Sequence, residues 1–144
     1  MSTPVIVPDA SVVLKWVLDS PDEADRTQAL ALRSAWLEGQ CHLAVPSVWA
    51  YEVGNVLGLK APRQAPDLLK LLFALELDEL SARLTANRAL NLMRRFGVTF
   101  YDAVYHAAAL ERNGTLVTAD SRYLAKAASE GHVILLRNWR RTAG

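Results

Sequence analysis

The feature that most constrains the fold of this chain is a regular alternation of short apolar runs with longer helical patterns. Residues 5–7 read Val-Ile-Val and residues 116–118 read Leu-Val-Thr, compositions that are typical of buried strands. The predicted strands are residues 5–7, 42–45, 75–80, 116–118 and 132–136, and the predicted helices are residues 10–18, 20–38, 47–59, 67–75, 81–96, 102–112 and 121–129. Strands that alternate with helices predict an α/β fold with a mostly parallel central sheet.

Several helix boundaries are marked by residues with suitable capping chemistry. The segment at residues 20–23 (SPDE) predicts a helix start, because its serine can cap the helix, its proline suits the first turn and its glutamate stands three residues after the serine. Gly39 and Gly97 are expected to end the helices that precede them.

The composition excludes several classes of protein. The 144 residues are 51% hydrophobic, which is enough for one domain, predicted over residues 1–144, with a core of its own. Charged residues make up 22% and the net charge is only +1, which excludes an ordinary disordered chain. The single cysteine, Cys41, excludes an internal disulfide framework and a cysteine-rich zinc site.

The sequence shows no feature of a membrane or exported protein. Its apolar runs fall short of the roughly 20 residues that a spanning helix needs. The first residues (MSTP) carry no basic region, and Asp9 interrupts the apolar stretch that follows, so we expect a cytoplasmic protein with no membrane partner. Because the net charge is nearly neutral, any binding of nucleic acid must depend on local basic patches.

Four acidic residues occupy positions where an α/β sheet would form a site. Asp9 and Asp120 follow the first and fourth predicted strands, so both would lie at the carboxyl edge of a parallel sheet, where ligands bind. Asp102 stands at the start of an Ala-rich helix, and Glu52 lies about one turn into the helix after the second strand. Each acid taken singly also has a structural interpretation: the three aspartates as helix caps, and Glu52 as part of a solvated helix face.

Four carboxylates in one pocket would repel one another and raise one another's pKa values. A divalent cation removes this repulsion, and oxygen ligands without paired histidine or cysteine favour Mg²⁺ or Mn²⁺ over zinc. Such a site suits phosphodiester hydrolysis, in which a metal activates water and clamps the non-bridging oxygens.

Four segments, in order, resemble the motifs of the PIN-domain ribonucleases, in particular the VapC-type toxins. The segments are residues 5–16 (VIVPDASVVLKW), residues 46–57 (PSVWAYEVGNVL), residues 101–109 (YDAVYHAAA), and residues 116–120 (LVTAD) with Leu124. Together they cover nearly the whole chain. The departures are modest: Pro8 stands where an apolar residue is more usual, and His106 occupies a position that is often apolar.

The resemblance implies a PIN-like three-layer α/β/α sandwich with a central, mostly parallel sheet. It implies Mg²⁺- or Mn²⁺-dependent endonucleolytic cleavage of RNA by the toxin of a toxin–antitoxin pair, with a cognate antitoxin as partner and a homodimer as the assembly. The acidic site carried over is Asp9, Glu52, Asp102 and Asp120, with the small hydroxyl residues Ser11 and Thr118 beside it.

The expected roles of the four acids follow from the resemblance. Asp9 and Asp102 are expected to bind the metal directly or through water. Asp120 would bind the metal or orient its water, and Glu52 would bind the metal or position the attacking water. The three histidines have no spacing partner for a metal, so core or surface roles are expected for them.

Other functions remain open at this point. A non-catalytic PIN-like module, which binds RNA or a protein partner, is the main alternative, and the presence of all four acids favours the nuclease. An aspartyl-phosphate domain is disfavoured, because Asp9 has no second acid two residues further on. Lys15 is expected to reach a phosphate or to lie on the surface, the Arg-rich tail at residues 137–141 to contact RNA or solvent, and the apolar residues 68–73 to line a subunit or antitoxin groove.

Overall fold

The computed structural model describes residues 3–19 and 24–141, and its centre is a parallel β-sheet. The strands are β1 (Val5–Pro8), β2 (His42–Pro46), β3 (Asp78–Leu80), β4 (Thr115–Thr118) and β5 (Val133–Leu135). Their order in the sheet is β3-β2-β1-β4-β5, and every neighbouring pair is parallel.

Helices cover both faces of this sheet. They are α1 (Ala10–Val17), α2 (Arg26–Leu37), α3 (Trp49–Lys60), α4 (Ala65–Ala74), α5 (Ala82–Phe96), α6 (Phe100–Glu111) and α7 (Ser121–Ala127). The chain runs from β1 outward to β3 in one direction and from β4 to β5 in the other, so right-handed crossovers place α1–α4 and α5–α7 on opposite faces. The predicted α/β/α sandwich with a parallel sheet is therefore confirmed.

The strand order reverses between β1 and β4, and this determines where a site can form. The two strands pair in register over Ile6 with Thr115 and Pro8 with Val117, so their carboxyl ends stop side by side. The helices that follow them leave toward opposite faces, which opens a crevice at the end of the sheet. Asp9 and Asp120 stand at this crevice.

Most predicted elements are confirmed, with differences at their ends. The Ala-rich helix α6 begins at Phe100 and not at Asp102, because Thr99 caps it. Only the last three residues of the strand predicted at 75–80 pair with the sheet, since α4 extends to Ala74. Gly97 ends α5 in the left-handed conformation, as predicted. The helix predicted over residues 20–38 is wrong at residues 24–25, because α2 begins at Arg26 after Asp25 in the left-handed conformation; the predicted start at residues 20–23 lies outside the described residues.

The core is apolar and includes two polar side chains that the sequence left undecided. Lys15 on α1 is only 7% exposed, so the expectation of a surface lysine is wrong. His106 on α6 is fully buried, which agrees with the expected core role. Of the helices within the described ranges, none combines the length and the apolar composition that spanning a bilayer requires.

Candidate active site

Asp9 is fixed at the end of β1 by hydrogen bonds to both carboxylate oxygens. Its backbone N–H donates to the carbonyl of Val117 at 3.1 Å, which ties it to the end of β4. Oδ1 accepts from the Ser11 hydroxyl and from the backbone N–H of Val12 at 3.3 Å, and Oδ2 accepts from the Thr118 hydroxyl. Asp9 therefore caps α1, and two hydroxyl groups also fix the orientation of its carboxylate.

Asp120 is held in the same way at the end of β4. Its Oδ1 accepts from the backbone N–H groups of Arg122 at 2.9 Å and Tyr123 at 3.2 Å, so it caps α7. Its own backbone N–H donates to Thr118 Oγ1 at 3.0 Å, and that hydroxyl in turn donates to Asp9. Thr118 thus links the two aspartates across the strand ends.

Asp102 lies in the first turn of α6, where Thr99 provides the cap. The backbone N–H of Asp102 donates to Thr99 Oγ1 at 3.1 Å. The capping interpretation of Asp102 is therefore wrong, because Thr99 and not the Asp102 carboxylate begins the helix.

Replacing Thr99 with alanine should lower the free energy of unfolding by about 1 kcal/mol, the usual cost of losing a threonine cap. Thr99→Ser keeps the hydroxyl and should stay close to the parent. Urea unfolding of the three proteins measures the effect. Equal stability of the alanine and serine variants would contradict the capping role of Thr99.

Glu52 enters the site from α3 and faces inward. Its Oε1 and the hydroxyl of Tyr105 are both buried and, within residues 3–19 and 24–141, have no hydrogen-bond partner. The interpretation of Glu52 as part of a solvated helix face is therefore wrong. Because a buried polar atom without a partner costs free energy, these two atoms indicate a place for a ligand or water.

All four acids line one cavity of about 140 Å³ at the carboxyl ends of β1 and β4. We call it the acidic cavity. Its lining residues are Asp9, Ala10, Ser11, Glu52, Asp102, Tyr105, Leu116, Thr118, Asp120 and Tyr123. The fold thus brings together all six residues that the sequence singled out, although their catalytic and metal-binding roles stay predictions.

The electrostatics of the acidic cavity disfavour carboxylate charge. Burial is the main cause that raises the pKa of Glu52 to about 7; the Tyr105 hydroxyl opposes it, and the charges of Asp102 and Asp9 add smaller increases. That hydroxyl lies close to Glu52 without forming a well-aligned hydrogen bond. Burial also raises the pKa of Asp9, against its hydrogen bonds, and burial together with the charge of Asp120 raises the pKa of Asp102. A bound cation would relieve this repulsion.

The donor atoms of the cavity suit Mg²⁺ or Mn²⁺, since all are oxygens. In the part of the chain that the structure describes, no three histidine, cysteine or acidic side chains are grouped closely enough to hold one ion together. Mg²⁺ usually takes one or two carboxylates and keeps several waters, so the cavity fits an ion bound partly through water. The free oxygen of Glu52 is the available acceptor for such a water.

Two tyrosines of the cavity wall are not among the predicted site residues. Tyr105 and Tyr123 stand three residues after Asp102 and Asp120, which places each on the same helix face as its acid. His106 positions Tyr123: Nε2–H donates to the carbonyl of Gly131 at 2.7 Å, and burial lowers the pKa of the ring, so Nδ1 accepts from the Tyr123 hydroxyl at 2.7 Å.

The model of the PIN domain family matches residues 6–130 of this sequence. The chain belongs to the PIN-domain family. The family predicted from the four sequence motifs is thereby confirmed, and PIN domains are generally nucleases that use divalent metal ions.

Solved structures similar to this PIN domain share its fold at low sequence identity. A toxin–antitoxin complex from Klebsiella pneumoniae matches with a TM-score of 0.67 and 17% identity, covering 91% of this chain and 97% of that chain. VapBC2 from Rickettsia felis, bound to a DNA fragment from its promoter, has a TM-score of 0.64 and 17% identity, with coverage of 91% and 96%. PAE2754 from Pyrobaculum aerophilum has a TM-score of 0.65 and 24% identity, with coverage of 95% and 92%. No curated protein matches this PIN domain in sequence.

Proposed function

We propose that this PIN domain is a Mg²⁺- or Mn²⁺-dependent endoribonuclease and the toxin of a toxin–antitoxin pair. The observation that supports this most strongly is the acidic cavity itself, which collects Asp9, Glu52, Asp102 and Asp120 at the topological switch point of the sheet. A domain that only binds partners has no need to concentrate four mutually repelling carboxylates in one cavity.

The surroundings of each residue in the cavity suggest its role in the proposed reaction. Asp9 and Asp102 would hold the cation, and Asp120 would orient the water around it. A divalent ion bound there supplies charge for the phosphate oxygens and lowers the pKa of water. Ser11 and Thr118 keep the Asp9 carboxylate in a single orientation through their hydrogen bonds.

Glu52 is the proposed base for the attacking water. Without a cation its pKa is raised to about 7, mainly by burial, and a bound cation would lower that pKa, so Glu52 would be ionised and able to accept a proton near neutral pH. Its buried Oε1 has no hydrogen-bond partner among the described residues, so this atom can accept the proton of a water in the cavity. Tyr105, whose hydroxyl also faces the cavity without a partner there, can donate to the same water.

An antitoxin partner and a homodimer belong to the same proposal. One similar solved structure is a toxin–antitoxin complex from Klebsiella pneumoniae, and this chain exposes large apolar side chains suited to a protein interface. On α3 and α4 these are Tyr51, Leu59, Leu71 and Phe73. We place the site of action in the cytoplasm, where RNA substrate is available.

The direct test is incubation of the purified protein with mixed RNA and mixed single-stranded DNA pools. We expect cleavage of RNA in Mn²⁺ or Mg²⁺ and no cleavage in EDTA. Cleavage that persists in EDTA would contradict metal dependence, and preferential cleavage of DNA would contradict the RNA assignment. RNA binding without cleavage under all conditions would favour the non-catalytic binding module.

Metal binding should also stabilise the folded protein. At a Mn²⁺ concentration of ten times Kd, mass action adds about 1.4 kcal/mol. For a domain of this size that corresponds to a rise in Tm of about 4–6 °C. Thermal melts with Mn²⁺ and with EDTA measure the difference.

The Asp9→Ala, Asp102→Ala double variant should lose most of this Mn²⁺-dependent shift. Asp67→Ala, Glu76→Ala is the matched control, because it removes two exposed acids that do not line the cavity. An equal shift in both double variants would show that Mn²⁺ binds elsewhere.

A further inference from the structure

A second cavity, of about 220 Å³, adjoins the acidic cavity and has a different electrostatic character. Asp102, Asp120 and Tyr123 line both cavities, so the two are continuous along one wall. The remaining wall of the second cavity is formed by Gly97, Val98 and Thr99 between α5 and α6, and by Arg122 and Lys126 of α7. We call it the basic cavity after these two cations.

Arg122 and Lys126 are available to a ligand. They stand four residues apart on α7, so their side chains share one face of the helix, and both residues are exposed. Among the residues that the structure describes, neither forms an ion pair, whereas several other arginines do. Those arginines are Arg26, Arg88, Arg95, Arg112 and Arg141. Both cations lower the pKa of Asp102, which places their charges close to the acidic cavity.

We propose that the basic cavity binds a phosphate of single-stranded RNA, namely the phosphate adjacent to the one held in the acidic cavity. This inference rests on the proposed function, because it assigns a subsite for the same substrate. A strand that places one phosphate at the four acids and continues along the wall shared by the two cavities carries a neighbouring phosphate past Asp102 and Asp120 to Arg122 and Lys126. Guanidinium and ammonium groups are the usual protein partners of phosphate oxygens.

The two cations also reduce the electrostatic repulsion between the acidic cavity and the RNA strand. The acidic cavity repels a polyanion before any divalent ion is bound, and a positive wall beside it reduces that repulsion for the approaching strand. Arg122 and Lys126 thus act on binding, separately from the groups that would act on the scissile bond.

The first test measures binding alone and needs no catalysis. A fluorescently labelled single-stranded RNA oligonucleotide is titrated with protein in EDTA at pH 8, over a series of salt concentrations. The Arg122→Gln, Lys126→Met variant should bind more weakly than the parent. The slope of log K against log salt should fall by about 0.7, because the variant no longer neutralises one phosphate of the strand.

The matched control is Arg63→Gln, Lys70→Met, which removes the same two charges from exposed positions that line neither cavity. It should keep the parent slope. Equal losses in the two double variants would overturn the subsite, because the effect would then be one of overall charge. An unchanged slope in Arg122→Gln, Lys126→Met would overturn it as well.

The second test locates the phosphate. Once the parent's cleavage position is mapped, oligonucleotides are prepared with one neutral methylphosphonate linkage on either side of the scissile bond. At one of these positions the parent and Arg122→Gln, Lys126→Met should cleave at the same rate, since neither protein then meets a charged phosphate in the basic cavity. A deficit in the variant that persists with both linkages would overturn the proposal.

If the parent binds with the predicted slope difference but cleaves no RNA, the nuclease proposal fails and the phosphate subsite stands.

Discussion

Asp9→Asn should lower Mn²⁺-dependent RNA cleavage by at least about a hundredfold, since lost metal positioning costs about 3 kcal/mol or more of transition-state stabilisation. The same substitution should leave the apoprotein as stable as the parent or slightly more stable. Asparagine caps a helix as well as aspartate does, and its amide can still bond to Ser11, Val12 and Thr118. It also removes a charge that burial disfavours, as the raised pKa of Asp9 shows.

The measurement compares cleavage of a mixed RNA pool in Mn²⁺ with Tm in EDTA for both proteins. Asp25→Asn is the matched control: Asp25 precedes α2, makes no side-chain capping bond and lies outside the acidic cavity. The control should keep full activity. Equal cleavage by Asp9→Asn and the parent would reject the catalytic role of Asp9. In cells, expression of the parent without a partner should slow growth, and Asp9→Asn should not.

The second large effect concerns pH. The pKa of Glu52 rises from 4.5 in the unfolded chain to about 7 in the folded protein, so the folded state holds this proton more tightly. Stability from this group is complete below about pH 4.5 and is lost as pH rises through 7. At about 1.4 kcal/mol per pKa unit the full shift corresponds to roughly 3 kcal/mol, and partial contact with solvent reduces it to about 2 kcal/mol.

Glu52→Gln should remove this pH dependence, because the amide is neutral at every pH and does not destabilise the folded state as the pH rises. In EDTA the variant should match the parent near pH 4.5 and exceed its free energy of unfolding by about 2 kcal/mol at pH 8. Urea unfolding across this range measures the difference, with Glu76→Gln, an exposed glutamate away from the cavity, as the control. Parallel pH profiles for the parent and Glu52→Gln would show that Glu52 is not desolvated. In Mn²⁺ the variant should cleave RNA poorly despite its greater stability, since its amide cannot take the proton of the attacking water.

The acidic residues could be predicted from sequence because each has a local signal. Asp9 and Asp120 each stand one residue beyond a short apolar strand run, and the rule that ligands bind at the carboxyl ends of parallel strands brings them together. Glu52 and Asp102 lie in the first turns of helices, which brings their side chains to the same end of the sheet. The helix-cap alternative is confirmed for Asp9 and Asp120. It is compatible with a position in the cavity, since one carboxylate can cap a helix and also line the cavity.

Features that depend on contacts distant in sequence could not be predicted. The bonds of His106 to Tyr123 and Gly131 span 17 and 25 residues, and nothing in the Ala-rich segment around His106 indicates them. The burial of Lys15 likewise depends on how the helices pack around α1. The start of α6 is different: Thr99 stands three residues before Asp102, a local capping pattern that predicts the observed boundary once both residues are considered together.

The double use of Asp9 and Asp120 as helix caps and cavity acids has a genetic consequence. An Asp→Asn change needs a single nucleotide substitution, and at both positions asparagine retains the cap. If the chain is a toxin as proposed, one point mutation can therefore abolish its activity and still leave a folded protein, which is not a substrate for the proteases that remove unfolded chains. These inactive copies would keep the surface that binds the antitoxin. The inactive copies would bind antitoxin and leave less of it to inhibit the active copies. In a cell that carries both alleles, the inactive allele would therefore increase the activity of the remaining active toxin.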